Sequence, residues 1–204
     1  MRIDPSIDIF WVRHGETVGN RERRMMGQRD SPLTRRGISQ AERVGRLLAQ
    51  TVREVGEVRL LASPLGRAWQ TAVIVTENLG RTTADIELID DLKEMTWGDW
   101  DGLNAQEIAA RDPELWAARI ADRWTMPPPG GGETQQNIID RAAAWLATLR
   151  PRERCIAVAH GGIGRAVRCV YAGLSPETML TMDEPHDAVF RLNNGSVIRL
   201  DATG

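Results

Sequence analysis

Cysteine is nearly absent: Cys155 and Cys169 are the only two in a chain of 204 residues. Both sit in apolar segments, with neither a C-x-x-C spacing nor the density of a disulfide-stapled scaffold. They read as buried thiols of a reducing compartment. Met1–Ile9 alternates charge with Ile, unlike a signal peptide, so the cytoplasm is the expected location. No apolar run approaches the roughly 18 residues of a membrane span. Lysine is scarcer still. Of 26 basic residues, 25 are Arg and only Lys93 is Lys. Against 28 acidic residues this gives a formal charge of −2 and a pI near 6.0, which excludes nucleic-acid or membrane binding by bulk charge. Spread over the whole chain, the Arg excess reads as composition, not as a binding patch. Histidine is limited to His14, His160 and His186, with no H-x-H or H-E-x-x-H spacing for a metal.

What is present is globular: 42% hydrophobic and 26% charged residues. The length suits one domain, residues 1–204, burying roughly 70% of its unfolded surface without staples. Apolar runs alternate with helical patterns, the mark of α/β architecture with a mainly parallel sheet. Strands are expected at 7–12, 58–62, 86–89 and 155–159, and a hairpin at 188–192 and 196–200 around Asn193-Asn194-Gly195. Helices are expected over 34–55, with Ile38, Ala41, Val44, Leu48 and Val52 on one face, over 64–80, and over 163–171. A polar, Arg-rich loop fills 20–32. The Trp-rich stretch from Trp97 to Gly132 reads as a small helical cap inserted in that domain.

Three strand ends carry unusual residues: Arg13-His14-Gly15, Ser63-Pro64-Leu65-Gly66-Arg67 and His160-Gly161-Gly162. In an open α/β sheet, ligands sit beyond the carboxyl ends of the strands. Arg13, His14, Arg67 and His160 can therefore converge on one phosphate-sized anion. A neutral imidazole there can attack phosphorus, and fixed Arg charge stabilises the charge spread over the transferring group. The same positive field disfavours imidazolium, so His14 is expected to stay neutral. Glu94, after the third strand and among aromatic residues, can supply the proton for the departing oxygen. His186 lacks such context and reads as loop polarity outside the site.

These residues fall into ordered blocks. Arg13-His14-Gly15-Glu16-Thr17…Asn20 resembles the R-H-G-E-[ST]-x-x-N signature of the histidine phosphatase superfamily, in its phosphoglycerate mutase-like branch. Gly27–Gly37, Ser63–Ala72, Glu94–Gly102, Gly131–Thr134 and His160–Gly162 resemble the blocks that follow it, with Asp101 where the family pattern has Glu. The resemblance implies a three-layer α/β/α sandwich with a mainly parallel sheet, one antiparallel edge strand and a small helical cap. It implies that His14 is the phosphoryl acceptor, that Arg13, Arg67 and His160 hold the phosphoryl group, and that Glu94 is the proton donor. Asn20, Gly27, Gln28 and Gly161 would lie near the substrate. No metal or other cofactor is implied, and the expected partner is a small-molecule phosphate ester, with neither nucleic acid nor membrane.

The family divides between phosphatases and mutases. The mutases it resembles have Asn two residues after the second His, where this chain has Gly162. They also carry Lys and an Arg pair after the acid-base Glu; between Met95 and Glu133 this chain has only Arg111, Arg119 and Arg123. The block Trp97-Gly98-Asp99-Trp100 also follows the phosphatases, so a phosphomonoesterase is the favoured reading. A bisphosphate-primed mutase is the runner-up and a non-catalytic phospho-ligand module a third. The central Trp residues read as packing and cap, and Arg21–Arg29 as a site rim or solvated loop. The Pro-Gly run at 127–132 lacks the Gly-Lys-[Ser/Thr] of a Walker loop.

Overall fold

The computed structural model of the chain describes residues 3–202. The first half contains β1 (Asp8–Arg13), α1 (Val18–Arg21), β2 (Arg24–Met25), α2 (Arg35–Thr51), β3 (Arg59–Ala62), α3 (Gly66–Asn78) and β4 (Ile86–Leu88). The second contains β5 (Leu103–Asn104), α4 (Ala105–Arg111), α5 (Pro113–Ala121), α6 (Gln135–Thr148), β6 (Arg154–Ala159), α7 (Gly161–Tyr171), α8 (Pro176–Met179), β7 (Ala188–Asn193) and β8 (Ser196–Asp201). The main sheet runs β4-β3-β6-β1-β7-β8. Its first four strands are parallel, and β7 runs against β1 and β8. The one strand of opposite direction thus lies one place in from the edge, with β8 outside it.

Five of the six residues of β1 are buried, as a strand covered on both faces requires. Its alternation divides the core in two. Ile9 and Trp11 face a cluster with Ile138 and Trp145 of α6 and Ile163 and Val167 of α7. Phe10 and Val12 face Val44 and Leu48 of α2 and Ala72 and Val75 of α3. The result is a three-layer α/β/α sandwich. Each fully buried Val, Ile or Leu contributes about 1.5–3 kcal/mol of transfer free energy.

Helix α2 starts where its cap dictates: the Thr34 side chain accepts from Gly37 N–H at 3.0 Å. Ile38, expected on the apolar face, is exposed instead. The buried stripe is Gly37, Ala41, Val44 and Leu48, and Ile38 lies one residue, about 100°, off it. The helix ends at Thr51 rather than near 55: Val52 already takes extended backbone at φ −84 and ψ 116, and Glu54 beyond it is left-handed at φ 51. Helix α6 occupies a stretch to which the sequence pattern assigned no element. The polar loop at 20–32 contains β2, which pairs with β5 and ties that loop to the Trp97–Gly132 segment. Strands of two residues carry no readable period. Within that segment Trp100 is fully buried, donates to Asp112 at 2.7 Å and packs edge-on to Trp116 at 5.8 Å. These rings are packing, as expected.

Candidate active site

Strands β3, β6 and β1 are neighbours, so Ser63, His160 and His14 emerge side by side from their carboxyl ends. The His14 backbone N–H donates to Ala159 O at 2.9 Å, and Ser63 N–H to Val158 O at 3.0 Å. His14 is 3% exposed. Its Nδ1 lies 2.8 Å from Gly15 O, a contact that requires Nδ1 to carry the proton. Nε2 is then the lone-pair nitrogen, and Arg67 Nε donates to it at 3.2 Å. His160 is fully buried behind it, ring centroids 5.1 Å apart, with Nε2 at 2.7 Å from Ser63 Oγ and no partner on Nδ1. Burial first, then the charges of Arg13 and Arg67, hold His14 well below the ordinary histidine range; burial and Arg67 do the same to His160.

Three of the five N–H groups of Arg67 are engaged, one on each nitrogen. Nη2 donates to Gly27 O and Nη1 to Arg29 O, each at 2.7 Å, so one guanidinium fixes both the imidazole and the 27–29 turn. Gly27 sits at φ +52, and a Cβ there would lie 1.6 Å from Asp101 Oδ1. Asp101 in turn accepts from Gln28 N–H at 3.1 Å, Trp97 N–H at 2.7 Å and Thr96 Oγ1 at 3.3 Å. The shorter carboxylate at this family position therefore joins the turn to the start of the Trp-rich segment.

Glu94 reaches the other side of the site. Its Oε1 accepts from Met95 N–H at 2.8 Å and Ile163 N–H at 3.3 Å, and Oε2 from Gly162 N–H at 3.0 Å. The carboxylate thus rests on the first turn of α7, where free N–H groups favour an anion. A Cβ at Gly162 would sit 2.4 Å from Glu94 Oε1.

A cleft of about 390 Å³ opens over these groups, lined by Arg13, His14, Asn20, Gly27, Arg67 and Glu94 among others. His160, Gln28 and Gly161 do not line it. His160 lies behind His14; Gln28 is exposed, its Nε2 at 3.4 Å from Glu94 O; a Cβ on Gly161 would be 3.4 Å from Arg13 Nε. That Arg13 Nε is buried without a partner, as is His160 Nδ1. Asn20 is partly engaged in the cap of α1, its Oδ1 accepting from Thr17 N–H at 3.0 Å.

One expectation is corrected in part. His186 lies in the loop before β7 and outside the lining of the cleft, but it has a definite partner: its Nδ1 donates to His14 O at 2.6 Å and its ring stands 5.6 Å from that of His14. Burial, then Arg13, pushes it down to about 4. Behind it, Glu184 O accepts from Arg13 Nη1. The Glu184 carboxylate pairs with Arg168 Nη2, whose guanidinium also takes Asp183 O at 2.6 Å and stacks 3.8 Å over Phe190. Burial pushes Glu184 up to about 7, against the pull of Arg168 and Arg13. The signal for this layer was the register Val12↔Val189, which sets residues just before β7 beside those just after β1.

The family model for the histidine phosphatase superfamily (branch 1) matches residues 9–201. The chain belongs to the histidine phosphatase superfamily. A Salmonella paratyphi C protein named "Probable phosphoglycerate mutase GpmB" is 31% identical over 198 residues, 96% of this chain and 85% of its own length. Among solved structures, the alpha-ribazole phosphatase from Shigella flexneri superposes with a TM-score of 0.81 at 25% identity, covering 95% of each chain. A mycobacterial glucosyl-3-phosphoglycerate phosphatase gives 0.74 at 25% identity, covering 95% of this chain and 96% of its own. Among the described residues of this histidine phosphatase superfamily member, no helix is long and apolar enough to cross a membrane.

Proposed function

We propose that this chain is a metal-independent phosphomonoesterase that works through a phosphohistidine on a small phosphorylated metabolite. The observation that carries the reading is the state of His14: Nδ1 is tied to Gly15 O, so the Nε2 lone pair points at Arg67 in a cleft shared with Glu94. In the first step Arg67 Nε–H turns from His14 Nε2 to a phosphoryl oxygen, Nε2 attacks phosphorus, and the P–O ester bond breaks. Glu94 gives its proton to the departing alkoxide oxygen. Arg13 and Arg67 balance the charge on the phosphoryl oxygens, with the partnerless Arg13 Nε as a further donor. In the second step Glu94 takes a proton from water as its oxygen attacks the phosphohistidine, releasing inorganic phosphate and restoring His14. The low basicity of His14 keeps the nucleophile unprotonated at neutral pH.

Gly162 favours hydrolysis over transfer, because it offers no side chain at the place where the mutases this chain resembles carry Asn. The alpha-ribazole and glucosyl-3-phosphoglycerate phosphatases named above support the same choice. The mutase reading retains the names of the curated relatives, the Salmonella protein and an Arabidopsis thaliana "Phosphoglycerate mutase-like protein 4" among them. The test is phosphate release from a panel of monoesters in the presence of EDTA, for the wild type and His14→Ala. EDTA-resistant release that the substitution abolishes is expected. Isomerisation of 3-phosphoglycerate with catalytic 2,3-bisphosphoglycerate, without phosphate release, would replace it with the mutase.

A further inference from the structure

Glu94 stands on a stretch of irregular backbone between two 3₁₀ turns, Asp90–Leu92 and Gly98–Trp100. A proton donor on such a stretch works only if its backbone is fixed from outside. Leu92 and Met95 enter the core on either side of it. Apolar burial is non-directional, however, and sets depth rather than aim. The aim comes from an ion pair at α6 that takes no part in the chemical steps. Ile138, Ala142 and Trp145 bury one face of α6 against the sheet, which gives Arg141 a rigid base.

Arg141 meets Glu133 fork to fork: Nε donates to Oε1 at 3.0 Å and Nη2 to Oε2 at 2.9 Å. Its Nη1 turns the other way and donates to Asp91 O and Lys93 O, both at 2.7 Å. Glu133 closes the frame. Its Oε2 also accepts from Thr96 N–H at 3.0 Å, and its own N–H donates to Thr96 O at 2.9 Å. Four main-chain groups of residues 91–96 are therefore held by one ion pair, with Glu94 between them. The Lys93 carbonyl belongs to the peptide bond that enters Glu94, so a shift of Arg141 turns the Glu94 backbone directly. The two side chains are 17% and 20% exposed, which leaves their bonds only partly open to water.

We propose that Arg141 and Glu133 are positioning residues for Glu94, aiming its carboxylate at the departing oxygen from outside the cleft. Their role rests on the phosphomonoesterase reading, in which Glu94 is the proton donor, and adds two residues that touch no substrate. Neither lines the cleft. Arg13 and Arg67 come from other strand ends, so the pair acts on proton transfer and not on the hold of the phosphoryl group. Behind burial, Arg67, His14 and Arg13, the Arg141 charge also bears on His160, and lysine at 141 separates that charge from the geometry of the fork.

The test is kcat/KM on phosphate monoesters graded in leaving-group basicity, for the wild type, Arg141→Gln, Arg141→Lys and Glu133→Gln, with Glu94→Gln as reference. Arg141→Gln should lose about 10–100-fold on alkyl phosphates and less than about threefold on p-nitrophenyl phosphate. Inorganic phosphate should inhibit it with a Ki within about twofold of wild type, since the phosphoryl site is untouched. Arg141→Lys should recover only part of the loss. Glu133→Gln keeps an acceptor for Thr96 N–H and should show the same pattern at smaller size, which covers a folding defect in Arg141→Gln. In crystals of Arg141→Gln, Glu94 Oε2 should move from 3.0 Å to about 1 Å further from Gly162 N. Equal loss on every leaving group, a phosphate Ki that rises with the loss, full recovery in Arg141→Lys, or an unmoved carboxylate would each overturn the proposal. No phosphate release by the wild type, or no leaving-group dependence in Glu94→Gln, would instead refute the hydrolase or proton-donor reading. The crystal distance would then decide the positioning role by itself.

Discussion

Replacing Gly162 by Ala isolates the placement of Glu94. The added Cβ would stand 2.4 Å from Oε1, about 1 Å inside ordinary carbon–oxygen contact. The carboxylate must retreat by about that much, straining or breaking its bonds from Gly162 N–H and Ile163 N–H. A misplacement near 1 Å costs on the order of 10²-fold, and complete loss of a general acid about 10²–10⁴-fold. The loss should depend on the leaving group. An alkyl phosphate needs the proton and should lose about 10²-fold in kcat/KM; p-nitrophenyl phosphate, whose leaving anion is already stable, should lose less than about tenfold. Glu94→Gln should show the same pattern more strongly. Stability should not fall, because Ala in the first turn of a helix is favoured over Gly by up to about 1 kcal/mol. Thermal unfolding together with kinetics on the two esters reads both quantities. An equal loss on both esters, or alkyl-phosphate turnover within threefold of wild type, would refute the assignment of Glu94 as proton donor.

Three other perturbations follow from the same geometry. His186 titrates at about 4 in the native chain against 6.5 unfolded, so the stability it supports is present above pH 6.5 and lost as pH falls through 4. That loss is about 3 kcal/mol, and His186→Asn, which keeps a donor for His14 O, should be less acid-sensitive by that amount in urea unfolding at pH 7 and pH 4. Asp101→Ala should free the Gly27–Gln28 turn and lower kcat/KM by about 10–100-fold with little change in Tm; an unchanged kcat/KM would contradict the role given to Asp101. Arg168→Met should destabilise the fold by about 3–5 kcal/mol in chemical denaturation by leaving Glu184 buried and unpaired, and adding Glu184→Gln should recover most of it.

The strand ends were legible because their residues are contiguous: Arg13-His14, Ser63 to Arg67, and His160-Gly161 each follow an apolar run, and parallel α/β order brings such ends together. His186 was not legible, since its neighbour His14 is 172 positions away and the contact depends on β7 lying next to β1. The hairpin was visible in Asn193-Asn194-Gly195; the strand it would join was not. Arg119, buried at the wall of the cleft, looked like any cap cation, because helical spacing does not show which of Arg111, Arg119 and Arg123 turns inward. The turn at Gly27 was marked by its glycine, while its clamp, Asp101, differs from the family's Glu and follows a single 3₁₀ turn at Gly98–Trp100, too short for a period to read.

The central place of β1 bears on how the chain reaches its native state. Its partners are β6, parallel, and β7, antiparallel, and neither begins before Arg154. On a ribosome adding about 5–20 residues per second, the strand holding Phe10 and Trp11 waits on the order of 7–30 s for its first neighbour. Throughout that interval its apolar residues and backbone N–H groups are open to other chains, a burden for chaperones rather than for the folded molecule. Arg13 and His14 are made well before β6 and β7, the strands beside which they are fixed in place.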